Sequence, residues 1–183
     1  MRAKLFWLLM AGALLLVLAA CTRQGGSASD ADGSVAAHAG HATSGDSHAG
    51  HTTNAPNGDL REETASVDAL PGFLDEEADQ VKLAYIAASK LQDTLQYIPC
   101  YCGCGQSAGH KSNLACFIAG VREDGSVIWD DHGTTCGVCQ QIALQSAQKK
   151  SEGMSDLQIR QWVDATYGAG GYADPTDTPL PQA

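Results

Sequence analysis

Basic residues are scarce in this chain: 11 Lys and Arg stand against 21 Asp and Glu, a net charge of −10 with histidine neutral. No basic stripe is present to meet a phosphate backbone, which argues against nucleic acid as a partner. Methionine is rarer still, at three residues, and Met1 and Met10 lie in the first twenty positions. Met154 alone remains for a folded part, so a thioether copper relay is not on offer. Carboxylates paired for acid–base work, a serine nucleophile with partners and a glycine-rich phosphate loop are also missing, and hydrolase and kinase chemistry fall away with them. The apolar run from Leu5 to Ala20 is too short to span a bilayer comfortably.

That run bears on the compartment. Arg2 and Lys4 precede it, and it ends in Leu18-Ala19-Ala20-Cys21, small residues before a cysteine. The string resembles a bacterial lipobox, in which the cysteine is lipidated and becomes the mature N-terminus. A plain secretory signal or one membrane helix is the blander reading. The expectation is a signal peptide over residues 1–20 and a lipid on Cys21, anchoring the protein to the outer face of a bacterial membrane. Loss of residues 1–20 removes Arg2 and Lys4 and no acid, leaving 9 basic residues against 21 acidic ones, or −12. Such a charge repels an anionic lipid surface and favours a head held away on a tether.

Residues 22–66 are Ser, Gly, Ala, Asp, Thr and His with almost no bulky apolar side chains, and such a stretch cannot bury enough surface to fold. We expect a disordered linker, with a reach of roughly 35–40 Å if it behaves like a Gly/Ser chain. Within it His38-Ala39-Gly40-His41 recurs as His48-Ala49-Gly50-His51. Paired imidazoles can capture metal weakly, but a polar linker that merely repeats is the simpler account, because ordering a flexible site is entropically costly.

Globular structure is expected over 67–175, with a Pro-rich tail at 176–183. Val81, Ala84, Tyr85, Ala88, Leu91, Leu95 and Ile98 recur at helical spacing, and Pro99 should end that helix. Glu123-Asp124-Gly125-Ser126 is a hairpin turn between Ile118–Arg122 and Val127–Trp129. Cys136 opens another helix that Gly153 breaks, and Ser155-Asp156-Leu157-Gln158 is a capping box for a last one bearing Ile159, Trp162, Val163 and Tyr167. The fold class read from this is mainly α: a small cysteine-rich helical domain of about three or four helices with a short β-hairpin, after a disordered tether.

The chemistry gathers at Pro99-Cys100-Tyr101-Cys102-Gly103-Cys104-Gly105. Along an extended segment alternate side chains share one face, with Cα atoms roughly 6.6 Å apart, near the limit for disulfides between neighbours. If Gly103 and Gly105 bend the backbone, the sulfurs can converge on one point, which suits a soft metal ion. Otherwise the three diverge to separate disulfide partners. Cys136-Gly137-Val138-Cys139 sits at a helix start, where thiolates are stabilised, and fits half of a metal site or a reactive dithiol. Counting Cys100, Cys102, Cys104, His110, Cys116, His132, Cys136 and Cys139, eight soft or borderline donors fall within forty residues. Zinc and copper(I) prefer such sets. His110 can equally be a loop residue and His132 a turn residue whose tautomer Asp130 or Asp131 fixes. Tyr101 and Trp129 read as packing residues. An even six cysteines, with Cys21 set aside, keeps a disulfide framework in contention.

The run Pro99 to Gly105, then Gly109-His110-Lys111-Ser112, Cys116-Phe117, Trp129-Asp130-Asp131-His132-Gly133 and Cys136 to Cys139, resembles the PCYCGC-motif lipoproteins. It is also similar to the related CYCXC family, whose name signals selenocysteine in some members. The likeness reaches through Gly171-Tyr172-Ala173-Asp174-Pro175. All eight donors match the pattern, and the resemblance implies redox or soft-metal chemistry rather than inert stapling. It brings no assigned activity with it.

The reading is a membrane-anchored extracytoplasmic lipoprotein that binds a soft metal ion, copper(I) or zinc, through these cysteines and histidines, as a metal receptor or chaperone. Its partners would be the membrane, through the lipid on Cys21, and an exported metal-handling or thiol-redox protein. The rivals are a thiol–disulfide or peroxide redox protein using Cys136 and Cys139, and a disulfide-stapled interaction domain.

Overall fold

A computed structural model describes residues 51–182. Residues 1–50 and Ala183 lie outside the described residues, and with them the expected signal peptide, Cys21, residues 22–50 of the tether, and His38, His41 and His48. No helix of the described residues is long and apolar enough to cross a membrane.

The described chain begins with strands rather than a tether. β1 (Thr52–Asn54) and β2 (Leu60–Thr64) form an antiparallel hairpin. Its turn closes through Ala55 N–H to the Asp59 carbonyl at 2.8 Å, and Gly58 supplies the left-handed step at φ +95°. β2 in turn pairs antiparallel with β4 (Val127–Asp130), which pairs with β3 (Ile118–Val121), giving a four-stranded sheet of order β1-β2-β4-β3. The expected β3–β4 hairpin is present, with Gly125 left-handed at its turn. Residues 52–54 and 60–64, expected within the linker, are strands, and the fold is mixed α/β rather than mainly α. Two strands went unseen because neither buries a face of its own: β1 is exposed and β2 half-buried throughout. Pairing with β4 makes β2 a strand, and β1 pairs on its outer side; Arg61 Nε on the buried Asp130 Oδ2 at 3.0 Å and Leu60 N–H on Asp131 Oδ1 at 2.8 Å aid the β2 pairing. Asp130 and Asp131 are thus the fasteners between sheet and loop.

Among the described residues there are also six α-helices: α1 (Asp79–Lys90), α2 (Gln92–Leu95), α3 (Cys104–Ser107), α4 (His132–Thr135), α5 (Gly137–Ser151) and α6 (Asp156–Tyr167). The single helix expected up to Pro99 is interrupted at Leu91 and resumes as α2, yet its buried set of Val81, Ala84, Tyr85, Ala88, Leu95 and Ile98 is the one the spacing predicts. The capping box on α6 is formed: Ser155 Oγ accepts from Gln158 N–H, and Gln158 Oε1 accepts from Ser155 N–H. Gly168 follows α6 at an ordinary φ of −78°, and what excludes a side chain there is the Asp164 carbonyl, 2.5 Å from where a Cβ would sit.

The core has two chemically different parts. Between sheet and helix, Tyr85 packs edge-on against Phe117 (5.0 Å between centroids) and Phe73 (5.7 Å), with Trp129 at 6.2 Å. Tyr85 donates to the Asp130 carbonyl and Trp129 Nε1–H to Thr64 Oγ1, so both aromatic polar atoms are satisfied. Burial drives the Tyr85 pKa upward, so it stays a phenol. The other part is made of sulfur.

Candidate metal centre

The backbone after α2 is shaped to bring alternate thiols together. Cys100 leaves Pro99 held by the C-terminal tail: its N–H donates to Thr176 Oγ1 at 2.9 Å and its carbonyl accepts from Thr176 N–H at 3.1 Å. Ala173 N–H donates to the Tyr101 carbonyl, extending the same clamp. Gly103 then takes φ +89°, a conformation that L side chains rarely adopt, and turns the chain into α3 at Cys104. Gly105 serves differently from the bend expected of it. It lies within α3, and a Cβ there would run into the Thr176 methyl group.

Convergence results. Cys100 Sγ is 2.8 Å from Cys104 Sγ and 3.0 Å from Cys102 Sγ. Cys116, at the end of the 3₁₀ turn Leu114–Cys116, comes within 3.4 Å of Cys104. Cys139, in the first turn of α5, lies 3.2 Å from Cys116, 3.4 Å from Cys100 and 3.7 Å from Cys102. Asn113, fully buried, fastens the helix start by donating to the Cys139 carbonyl. Gly133 lets the α4 turn close on this wall, since a Cβ there would lie 2.8 Å from the Cys116 carbonyl.

Four sulfurs, of Cys100, Cys104, Cys116 and Cys139, lie within 4.8 Å of one another and are all buried. Cys102 and Cys136 join Cys139 in a second such group and are only half-buried, at the mouth of the cage. All six are free thiols, at non-bonded separations well above the ~2.05 Å of a disulfide. The triplet and the later dithiol therefore face one pocket rather than separate partners.

His110 and His132 also reach this centre. His110 Nδ1 is 3.3 Å from Cys116 Sγ, while His132 groups with Cys102 and Cys104 within 4.8 Å. The two rings stand 4.6 Å apart, nearly perpendicular. The carboxylate fixing His132 is Asp59, whose Oδ1 lies 3.3 Å from His132 Nδ1, and not Asp130 or Asp131 as the sequence suggested. Asp130 instead accepts from the His132 backbone N–H. Asp59 sat unnoticed inside the presumed linker. The Asn57-Gly58 dipeptide just before it is a hairpin-turn signal that could have located it.

Electrostatics divide the thiols. Crowded sulfurs cannot all ionise, so some accept hydrogen bonds as thiolates while others keep their protons to donate. A bond with Cys102 raises the Cys100 pKa, but bonds with Cys104, Cys116 and Cys139 outweigh it and bring it down. Cys102 is lowered by bonds with Cys100, Cys104, Cys116 and Cys136. Cys104, Cys116 and Cys139 are raised, each chiefly by its bonds with Cys100 and Cys102. At Cys136 the upward push of Cys102 is outweighed by Cys116 and Cys139. Burial lowers His110, with the neighbouring His132 adding to it. At His132 burial also lowers, but the Asp59 hydrogen bond and charge prevail and its pKa is raised.

A metal ion fits this donor set. Sulfurs bound at about 2.3 Å around a tetrahedral ion stand about 3.8 Å apart. Four of the six edges, at 2.8 to 3.4 Å, are somewhat tighter, so the cage would spread by a few tenths of an ångström to about 1 Å on loading. The buried cysteine cluster can hold a metal.

A family profile described as "Protein of unknown function with PCYCGC motif" matches residues 13–181. No curated protein and no solved structure matches the chain.

Proposed function

The chain belongs to the family of proteins with a PCYCGC motif, and from the geometry of its sulfur cage we propose that it binds a soft metal ion, copper(I) or zinc, as an extracytoplasmic receptor or chaperone. The observation that supports this most is the four-sulfur group of Cys100, Cys104, Cys116 and Cys139, drawn from three separate segments and buried from solvent. Four convergent buried thiols are an expensive way to fill a core, since each S–H is a weak donor surrounded by others. A thiophilic cation removes that conflict by replacing protons.

The chaperone part rests on the two half-buried sulfurs. Cys102 and Cys136 can meet an incoming ion first and hand it inward, or surrender it to a partner's thiol by ligand exchange. A lipid on Cys21 would hold the domain at the outer face of a bacterial membrane, within reach of exported metal-handling proteins. That element of the proposal draws on the sequence alone.

Elemental analysis of protein purified anaerobically under reducing conditions tests the reading. Wild type should carry or take up zinc or copper(I) stoichiometrically, and Cys116→Ser with Cys139→Ser should lose the thiolate-bound equivalent. Failure of wild type to load either ion would overturn it.

A further inference from the structure

We propose that Asp59, His110 and His132 form a second cation site, adjoining the sulfur cage, for a divalent ion of the zinc class. One donor atom from each residue lies within 4.8 Å of the others. His132 Nδ1 is 3.3 Å and His110 Nε2 is 3.6 Å from the same carboxylate oxygen, Asp59 Oδ2. Nitrogen and oxygen donors bound at about 2.0–2.1 Å around a tetrahedral ion stand about 3.3–3.4 Å apart. The two edges at Asp59 match with little movement, unlike those of the cage, which must open.

A second observation points to a ligand. His110 is 6% exposed, and its Nε2 is buried with no hydrogen-bond partner. At 3.6 Å Asp59 is within ionic reach but too far for a hydrogen bond. Burying a ring nitrogen unpaired is costly, and a cation between the imidazoles and the carboxylate removes that cost. The other face of the ring is already engaged, Nδ1 against Cys116 Sγ at 3.3 Å.

The fold delivers these donors from three places. Asp59 comes from the β1–β2 turn, where Asn57 Nδ2 also donates to its Oδ2, His110 from the loop after α3, and His132 from the first residue of α4. Two imidazoles and a carboxylate are borderline-to-hard donors, so this site would select differently from the thiolates beside it. Three protein ligands leave a fourth corner for water, the pattern of zinc sites that keep an open position.

Cobalt(II) distinguishes the two sites, because thiolate ligation gives intense near-ultraviolet charge transfer and N/O ligation gives only weak visible bands. Reduced full-length protein is titrated anaerobically. We expect wild type to bind one equivalent that adds visible bands without charge transfer, and Asp59→Asn and His132→Asn each to lose that equivalent while keeping the charge-transfer signal. The wild-type titration stands by itself should a variant not fold. If every bound equivalent adds charge transfer, or if folded Asp59→Asn binds as many equivalents as wild type, the site does not exist and Asp59 only orients the histidines. Failure of the cage would read differently, as no charge transfer at all.

Discussion

The aromatic cluster and the sulfur cage lie side by side in one small core, Phe117 in one directly following Cys116 in the other. Tyr85, Phe117 and Trp129 fill space by shape, and the polar atoms of Tyr85 and Trp129 are satisfied by protein. The cage is equally buried but its sulfurs are partnered by one another and, at Cys116, by the His110 ring. The difference teaches that burial alone does not mark a residue as structural. One region stabilises whatever the solution contains. The other has a stability that depends on what it binds.

Breaking the first region should have the largest effect. Trp129→Ala removes a fully buried indole and should cost about 3–5 kcal/mol by denaturant unfolding, a large share of any domain's stability. It should do so equally with and without metal. Next comes the response of the cage. A soft ion at a hundredfold excess over its Kd should stabilise wild type by about 2.7 kcal/mol, and Cys116→Ala should abolish that gain. The same substitution without metal should cost only about 0.5–1.5 kcal/mol. If metal-free Cys116→Ala is as damaging as Trp129→Ala, the two regions are not different in kind.

Acidity sharpens the contrast. Cys104, Cys116 and Cys139 have raised pKa values and hold protons at neutral pH, so a metal must displace them. Affinity should therefore climb as pH rises and fall as it drops, measured by competition with a chelator of known affinity. His132 works oppositely on metal-free stability. Its pKa is raised in the folded state, so the contribution of its pairing with Asp59 is complete below the ordinary imidazole value and is lost as pH rises through the folded one. The stability gap between wild type and Asp59→Asn should narrow over that rise. Thr176→Ala, removing one hydrogen bond from the tail clamp on Cys100, should have an effect of about 0.5–1.5 kcal/mol.

The clustered cysteines and histidines were legible in the sequence because those residues are chemically distinct wherever they stand, and Gly103 flagged the bend that brings the first three thiols together. Local signals were legible too: the Ser155 capping box, the Gly125 hairpin, the apolar stripe of α1. What escaped was non-local. Leu60-Arg61-Glu62-Glu63-Thr64 carries one bulky apolar residue and no alternation, and becomes a strand only because Val127–Asp130 lies beside it. Asp59 is 51 residues from His110 and 73 from His132, so no spacing rule connects them. The clamp of Thr176 over Cys100 is invisible for the same reason, although it explains why Gly105 carries no side chain.

Native mass spectrometry of anaerobically purified protein, with thiols counted on the same sample, tests the central claim most directly. The account predicts bound soft metal at whole-number stoichiometry, all six cysteines of the domain unoxidised, and metal released as the cage sulfurs take up protons on mild acidification. Six cysteines locked in disulfides, or six free thiols that take up neither zinc nor copper(I), would contradict it.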